Sequence, residues 1–124
     1  MLNDKFVLSA DTAGNESTDQ FDASEKISTN DIDQMMEKLY AKYISNEIPV
    51  VIGEFGARDK NGNLQSRVDY AAYYIAAARA YGMSCNWWDN NAFTGDGELF
   101  GLLDRKTVTW RYPKIVDALM KYAE

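Results

Sequence analysis

One carboxylate in this chain of 124 residues lies where a catalytic group would be expected. Glu54 follows Gly53 at the end of residues 50–52, a β-branched run typical of a buried parallel strand. A carboxylate that is desolvated there without a partner costs several kcal/mol, so it requires either a partner or a function. In α/β sheets, functional side chains gather at the carboxyl ends of the strands. Glu54 is therefore the first candidate for catalysis.

Two tryptophans and an asparagine occur at the end of a second predicted strand. Trp87 and Trp88 are adjacent, so they lie on opposite faces of that strand, and Asn90 follows them. Aromatic rings stack on the apolar faces of sugars, and amides bond to sugar hydroxyls. Together with Glu54, these residues predict a site for a polyhydroxylated ring.

Structural roles for the same residues remain open at this point. Glu54 could form a salt bridge with Arg58 or Arg67 at the strand end, without any catalytic function. The tryptophans could fill the core, and for one of the two we expect this role.

The sequence predicts no metal and no cofactor. Asp59, Asn61 and Asn63 have the spacing of a calcium loop, but Leu64 stands where glycine is required, so we expect a surface turn. Cys85 is not expected to act as a nucleophile, because the chain contains no histidine to activate it. A phosphate-binding Gly-Lys pattern is also absent from the sequence.

Charge and hydropathy exclude several classes of partner. The formal net charge is -6 and the pI is about 4.6, which argues against binding to nucleic acid or to an anionic membrane. No apolar run approaches the roughly 20 residues of a membrane span. The single cysteine excludes an internal disulfide.

The pattern of apolar and turn residues predicts one α/β domain, residues 1–124. Residues 1–30 read as an irregular loop segment, and residues 31–124 read as βα units. The predicted elements are a helix started by residues 28–30, a strand at 49–54, a helix opened by Ser66 and closed by Gly82, a strand at 83–88, and a helix near 110–123.

These motifs resemble glycoside hydrolase family 5, the cellulase-type barrels. The segment 48–56, with its Gly-Glu-Phe-Gly motif, is similar to the seventh strand of that family, and 87–90 is similar to the eighth. Residues 97–105 and 109–110 resemble the loop and the start of the last helix, and the resemblance runs from about residue 6 to the end of the chain. Asn91 departs from the pattern, because relatives usually have glycine there.

The resemblance implies a fold. It is a C-terminal fragment of a TIM (β/α)8 barrel, a single partial domain with the equivalents of strands seven and eight plus flanking helices. Two barrel strands leave unpaired edges. We therefore expect a homo-oligomer, or association with a complementary N-terminal barrel portion.

The resemblance also implies retaining hydrolysis of a β-1,4-linked glucan. Glu54 matches the nucleophile, Trp88 the stacking platform, and Asn90 and Trp87 further substrate-binding residues. A second glutamate, roughly 5–5.5 Å away, would act as acid and base. Relatives of this kind are secreted, so the full-length parent is expected outside the cell.

The second glutamate is missing from the sequence. The family places it in an Asn-Glu-Pro motif, and this chain has none. Glu47 follows Asn46, but it precedes Glu54 by seven residues, roughly 20 Å along a strand. We therefore expect the isolated chain to be inactive. The alternatives are a non-catalytic glucan-binding or assembly module, and a small α/β domain whose likeness to the barrel is coincidental.

Overall fold

The computed structural model describes residues 9–11 and 19–123. A 3₁₀ turn at Ile44–Asn46 follows the first helix. In this part of the chain no helix is long and apolar enough to cross a membrane. The elements are β1 (Ser9–Asp11), α1 (Lys26–Lys42), β2 (Val51–Gly56), α2 (Leu64–Ala80), β3 (Ser84–Trp87), β4 (Leu103–Asp104), β5 (Thr109–Trp110) and α3 (Pro113–Tyr122).

Three parallel strands form the sheet, in the order β1-β2-β3. The central strand is β2, and Ser9 of β1 lies opposite Glu54. The sequence predicted two strands in this sheet and an irregular segment at residues 1–30. Both predictions are wrong at residues 9–11, because these residues form a third strand. A three-residue strand carries little local signal, and its partner lies 45 residues further along the chain.

Helix α1 begins earlier than predicted, at Lys26, so the boundary expected between residues 30 and 31 falls inside it. The Asp22 carboxylate accepts hydrogen bonds from the Ser24 amide and hydroxyl, at 2.9 and 2.7 Å, and this turn starts the helix. Ser28 is not a cap, because its Oγ accepts the Asp22 amide instead. The buried residues of this helix recur at helical spacing along one face: Thr29, Ile32, Met36 and Leu39.

Helix α2 packs on the sheet through tyrosines. The Tyr74 ring stacks on Phe55 with centroids 4.3 Å apart. The predicted capping role of Ser66 is wrong, because the helix begins at Leu64 and the Ser66 Oγ accepts the Phe21 amide at 3.1 Å. The predicted end is confirmed: the helix stops at Ala80, and Gly82 follows with a φ of 77°.

A short hairpin that the sequence did not predict precedes the last helix. Strands β4 and β5 are antiparallel, and the Arg111 amide donates to the Leu102 carbonyl at 2.7 Å. Helix α3 then begins at Pro113, within the predicted range of 110–123, and proline suits the first turn of a helix. Its Ile115 packs with Leu102 and Ala71 in a second buried cluster, which fixes α3 against α2.

Candidate functional site

A bulge in β2 lies at Glu54. Ile52 pairs with Cys85 and Phe55 pairs with Trp87, so two residues of β2 face a single residue of β3. In a regular strand, side chains three positions apart point to opposite faces. Here Ile52 and Phe55 are both buried in the same core cluster. The bulge therefore takes Glu54 out of the regular alternation, as bulges beside active sites commonly do.

The Glu54 carboxylate is half-buried at the carboxyl half of β2. Among residues 9–11 and 19–123 it has no hydrogen bond and no ion pair with Arg58 or Arg67. Arg67 instead donates from Nε to the Ala57 carbonyl at 3.0 Å. The salt-bridge role considered for Glu54 is therefore not found in the described residues.

The two tryptophans lie in different environments, as their alternation predicts. Trp87 packs edge-to-face against Phe55 at 5.4 Å and donates from Nε1 to the Phe100 carbonyl at 3.1 Å. Trp88 is 44% exposed, and its amide donates to the Phe55 carbonyl at 2.8 Å. Trp87 therefore contributes to the core, whereas Trp88 lies exposed directly after β3, with its amide bonded to the residue that follows Glu54.

Asn90 organises the loop after β3. Its Nδ2 donates to the Glu98 carbonyl at 2.7 Å, and its Oδ1 accepts the amides of Ala92 and Phe100 at 3.1 and 3.2 Å. The second N–H of the Asn90 amide makes no hydrogen bond within the described part of the chain. The sequence predicted Asn90 as a site residue, but it did not show that the Asn90 side chain bonds to the backbone of its own loop.

Asp89 fixes the loop after β3 through both of its carboxylate oxygens. One carboxylate oxygen accepts the Asn91 amide and the other accepts the Leu103 amide, both at 2.9 Å, so Asp89 ties the loop to β4. Asn91 has a φ of 57°, in the left-handed region that asparagine tolerates better than most residues. This residue therefore keeps the backbone shape that glycine would adopt at the same position.

The pattern at Asp59, Asn61 and Asn63 is a turn, as predicted. Asp59 Oδ1 accepts the Gly62 amide at 3.1 Å, and Asn63 Oδ1 accepts the Lys60 amide at 2.9 Å. Within the described ranges, no group of three or more acidic, cysteine or histidine side chains is placed to hold a metal ion.

Comparison with known proteins identifies the family of this site. The family model described as cellulase (glycosyl hydrolase family 5) matches residues 9–94, more than half of the chain. The chain belongs to glycoside hydrolase family 5. The match includes β2, with Glu54, and β3, with Trp87 at its end and Trp88 directly after it. This family-5 chain is an α/β protein. Relatives of solved structure show how much of a complete family-5 protein it represents.

Individual relatives are similar over most of this family-5 chain. Endoglucanase B of Ruminococcus albus is 40% identical over 119 residues, which is 96% of this chain and 27% of that protein. A mutant lichenase of Caldicellulosiruptor sp. F32, solved with cellotetraose, is 62% identical, with a TM-score of 0.86 over 96% of this chain and 32% of that chain. A broad-specificity endoglucanase of Ruminococcus champanellensis, solved with cellotriose, is 40% identical, with a TM-score of 0.77 over 86% of this chain and 30% of that one.

The chain thus spans about a third or less of the length of these relatives. Since the relatives are family-5 barrels, the three-stranded sheet and its helices correspond to a part of a TIM barrel.

Proposed function

We propose that this chain is the C-terminal part of a retaining endo-β-1,4-glucanase, with Glu54 as the nucleophile. In this proposal β2 and β3 are strands seven and eight of the barrel, and β1 takes the place of strand six. The observation that carries it is the position of Glu54 on the central parallel strand, with the exposed Trp88 directly after the neighbouring strand and bonded to the Phe55 carbonyl. Nucleophile and stacking platform then share one end of the sheet, which is the functional end in such barrels.

The chemistry requires a second carboxyl group. Glu54 would attack the anomeric carbon to form a glycosyl-enzyme, while the acid, roughly 5–5.5 Å away, protonates the leaving oxygen and then activates water. Glu47 is unsuited to this role, because it lies exposed before β2 with a φ of 61°. We infer that the acid comes from a part of the barrel outside this chain, because the Asn-Glu-Pro motif in which the family carries it is absent from the sequence, and we expect the chain alone to be inactive.

The substrate we infer is a β-1,4-linked glucan. The exposed ring of Trp88 can stack on a glucose unit, and the remaining amide N–H of Asn90 can donate to a hydroxyl. We retain Trp87 as a residue that supports the platform from the core side. A polymeric substrate is met outside the cell, so we infer that the full-length parent is secreted.

Association is part of the proposal. In the described sheet β2 is paired on both sides, so the free edges belong to β1 and β3. Unpaired edges attract further strands. We infer that this chain pairs through them with a complementary N-terminal barrel portion or with another copy of itself.

Complementation tests the assignment of Glu54. The chain is mixed with the preceding two thirds of the Caldicellulosiruptor lichenase, and reducing ends released from soluble β-glucan are measured. We expect activity in the mixture and none from either part alone. Glu54→Gln should lower this activity by about 10³-fold or more, because the nucleophile is lost. The matched control is Glu47→Gln, which should leave it unchanged.

Two results would argue against the proposal. Hydrolysis that survives Glu54→Gln would exclude this residue as nucleophile. Retention of the chain on immobilised glucan, unaffected by Glu54→Gln and without activity in any mixture, would instead favour a non-catalytic binding module built on Trp88.

A further inference from the structure

Arg67, in the first turns of α2, carries a buried charge that the proposed chemistry does not use. Its side chain is 1% exposed, and among the described residues its Nη2 has no hydrogen-bond partner. Burial lowers the pKa of Arg67, although the nearby Asp59 and Tyr112 oppose that change. Burying a guanidinium without a direct carboxylate partner is costly, so its position requires an explanation.

The Arg67 guanidinium lies at the centre of contacts that hold the backbone after β2. Its Nε donates to the Ala57 carbonyl at 3.0 Å, and its Cζ lies 4.6 Å from the centre of the Tyr112 ring. The Tyr112 hydroxyl donates to Asp59 Oδ2 at 3.2 Å, and the Asp59 amide donates to the Leu99 carbonyl at 2.9 Å. Residues 57–59 are thus fixed from α2, from the start of α3 and from the loop after β3.

The fixed segment begins three residues after Glu54. Phe55 is held by its stack on Tyr74, and Gly56 is buried. In the described residues the Glu54 carboxylate has no hydrogen bond of its own, so its position is set by the backbone that carries it. A nucleophile must be held about 3–3.5 Å from the atom it attacks, and small displacements cost rate.

We propose that Arg67 is a positioning residue, which fixes the strand end bearing Glu54 through the Ala57 carbonyl. This inference rests on the proposed role of Glu54 as nucleophile. Arg67 does not touch substrate in this proposal, and it acts only through the backbone. Its loss should therefore slow the chemical step and leave glucan binding at Trp88 unchanged.

Kinetics of the complemented mixture test this role. Arg67→Met keeps the apolar stem but removes the donor to Ala57, and we expect kcat to fall about 10- to 100-fold with KM nearly unchanged. Arg67→Lys keeps a cation and one donor, so its fall should be smaller. Ile75→Ala is the matched control, because it opens a cavity on the same helix near the amino ends of β2 and β3, at the other end of the strands from Ala57. It should lower Tm but keep kcat.

An equal fall of kcat in Arg67→Met and Ile75→Ala would overturn the inference, as would an unchanged kcat in Arg67→Met.

If the unmodified mixture has no activity, the proposed function fails. Hydrogen exchange of backbone amides in the chain alone then tests the positioning role of Arg67. Arg67→Met should then speed exchange of the Asp59 and Trp88 amides, but not of the Met83 amide bonded to Ala78. Unchanged exchange at all three amides would overturn the positioning role.

Discussion

A methyl group added to Gly56 would lie 2.9 Å from the ring of Phe100, closer than carbon atoms normally approach. The second glycine of the Gly-Glu-Phe-Gly motif is thus needed because the loop after β3 packs on the end of β2. The sequence was sufficient to select Glu54 and Trp88, since each belongs to a recognisable strand end. It could not show that Asn90 bonds to Glu98, because that pairing depends on how the loop folds.

Cys85 gives a pH dependence to the stability of the chain. Burial raises the pKa of Cys85 to about 12, against an ordinary value of about 8.5. The folded chain favours the neutral thiol. This contribution to the free energy of unfolding is therefore fully present below the pKa that Cys85 has in the unfolded chain. It is lost as the pH rises towards the pKa that Cys85 has in the folded chain. The free energy of unfolding should therefore decline between pH 8 and 10.

Urea unfolding of the full chain at pH 7, 8, 9 and 10 measures this decline. In Cys85→Ala the free energy of unfolding should decline less steeply with pH, because the titrating thiol is absent. This expectation holds whatever the substitution does to stability at pH 7. Tyr73, whose pKa burial also raises, remains as a source of decline at the upper end of the range. The same slope in both proteins would contradict the assignment to Cys85.

At the scale of elements, long periodic segments were predictable and long-range pairings were not. The Gly82 stop follows from a local rule and is observed, and α3 lies within the range of 110–123 that was predicted for the last helix. The helix starts were misplaced because turn contacts compete with capping: Ser66 accepts the amide of Phe21, 45 residues away. The β2 bulge was missed for a related reason, since it depends on pairing with β3.

The β4–β5 hairpin contains a strained residue. Val108 is 76% exposed and has a φ of 54°, a left-handed conformation that a β-branched side chain adopts only with strain. Val108→Asn should relieve this strain and raise the free energy of unfolding by about 1 kcal/mol. Differential scanning calorimetry of the full chain would show it as a higher Tm.

Lys106→Asn provides the comparison in the same turn. Lys106 is exposed and is not among the residues with positive φ, so asparagine should bring no gain there. Equal effects of the two substitutions, or a lower Tm in Val108→Asn, would mean that backbone strain at this turn does not limit stability.

For the whole molecule, the arrangement of three parallel strands predicts association. The amino ends of β2 and β3 line an open hollow of about 560 Å³, and Val51 in this hollow is 41% exposed although it belongs to the central strand. In a complete barrel further strands and side chains would cover such a surface. The chain should therefore sediment above its monomer mass of 14.0 kDa at micromolar concentration.

A charge placed in the hollow should weaken that association, because a lysine ammonium is costly to bury in an apolar contact. Val51→Lys should shift the sedimentation profile towards monomer and reduce complementation by the lichenase portion. Ile27→Lys serves as the matched control, since Ile27 is 91% exposed on α1, outside the sheet. A monomeric unmodified chain, or equal dissociation by both lysines, would show that the strand edges and the hollow do not direct assembly. Dissociation by Val51→Lys alone would place the contact at the amino ends of β2 and β3, the end of the sheet opposite Glu54.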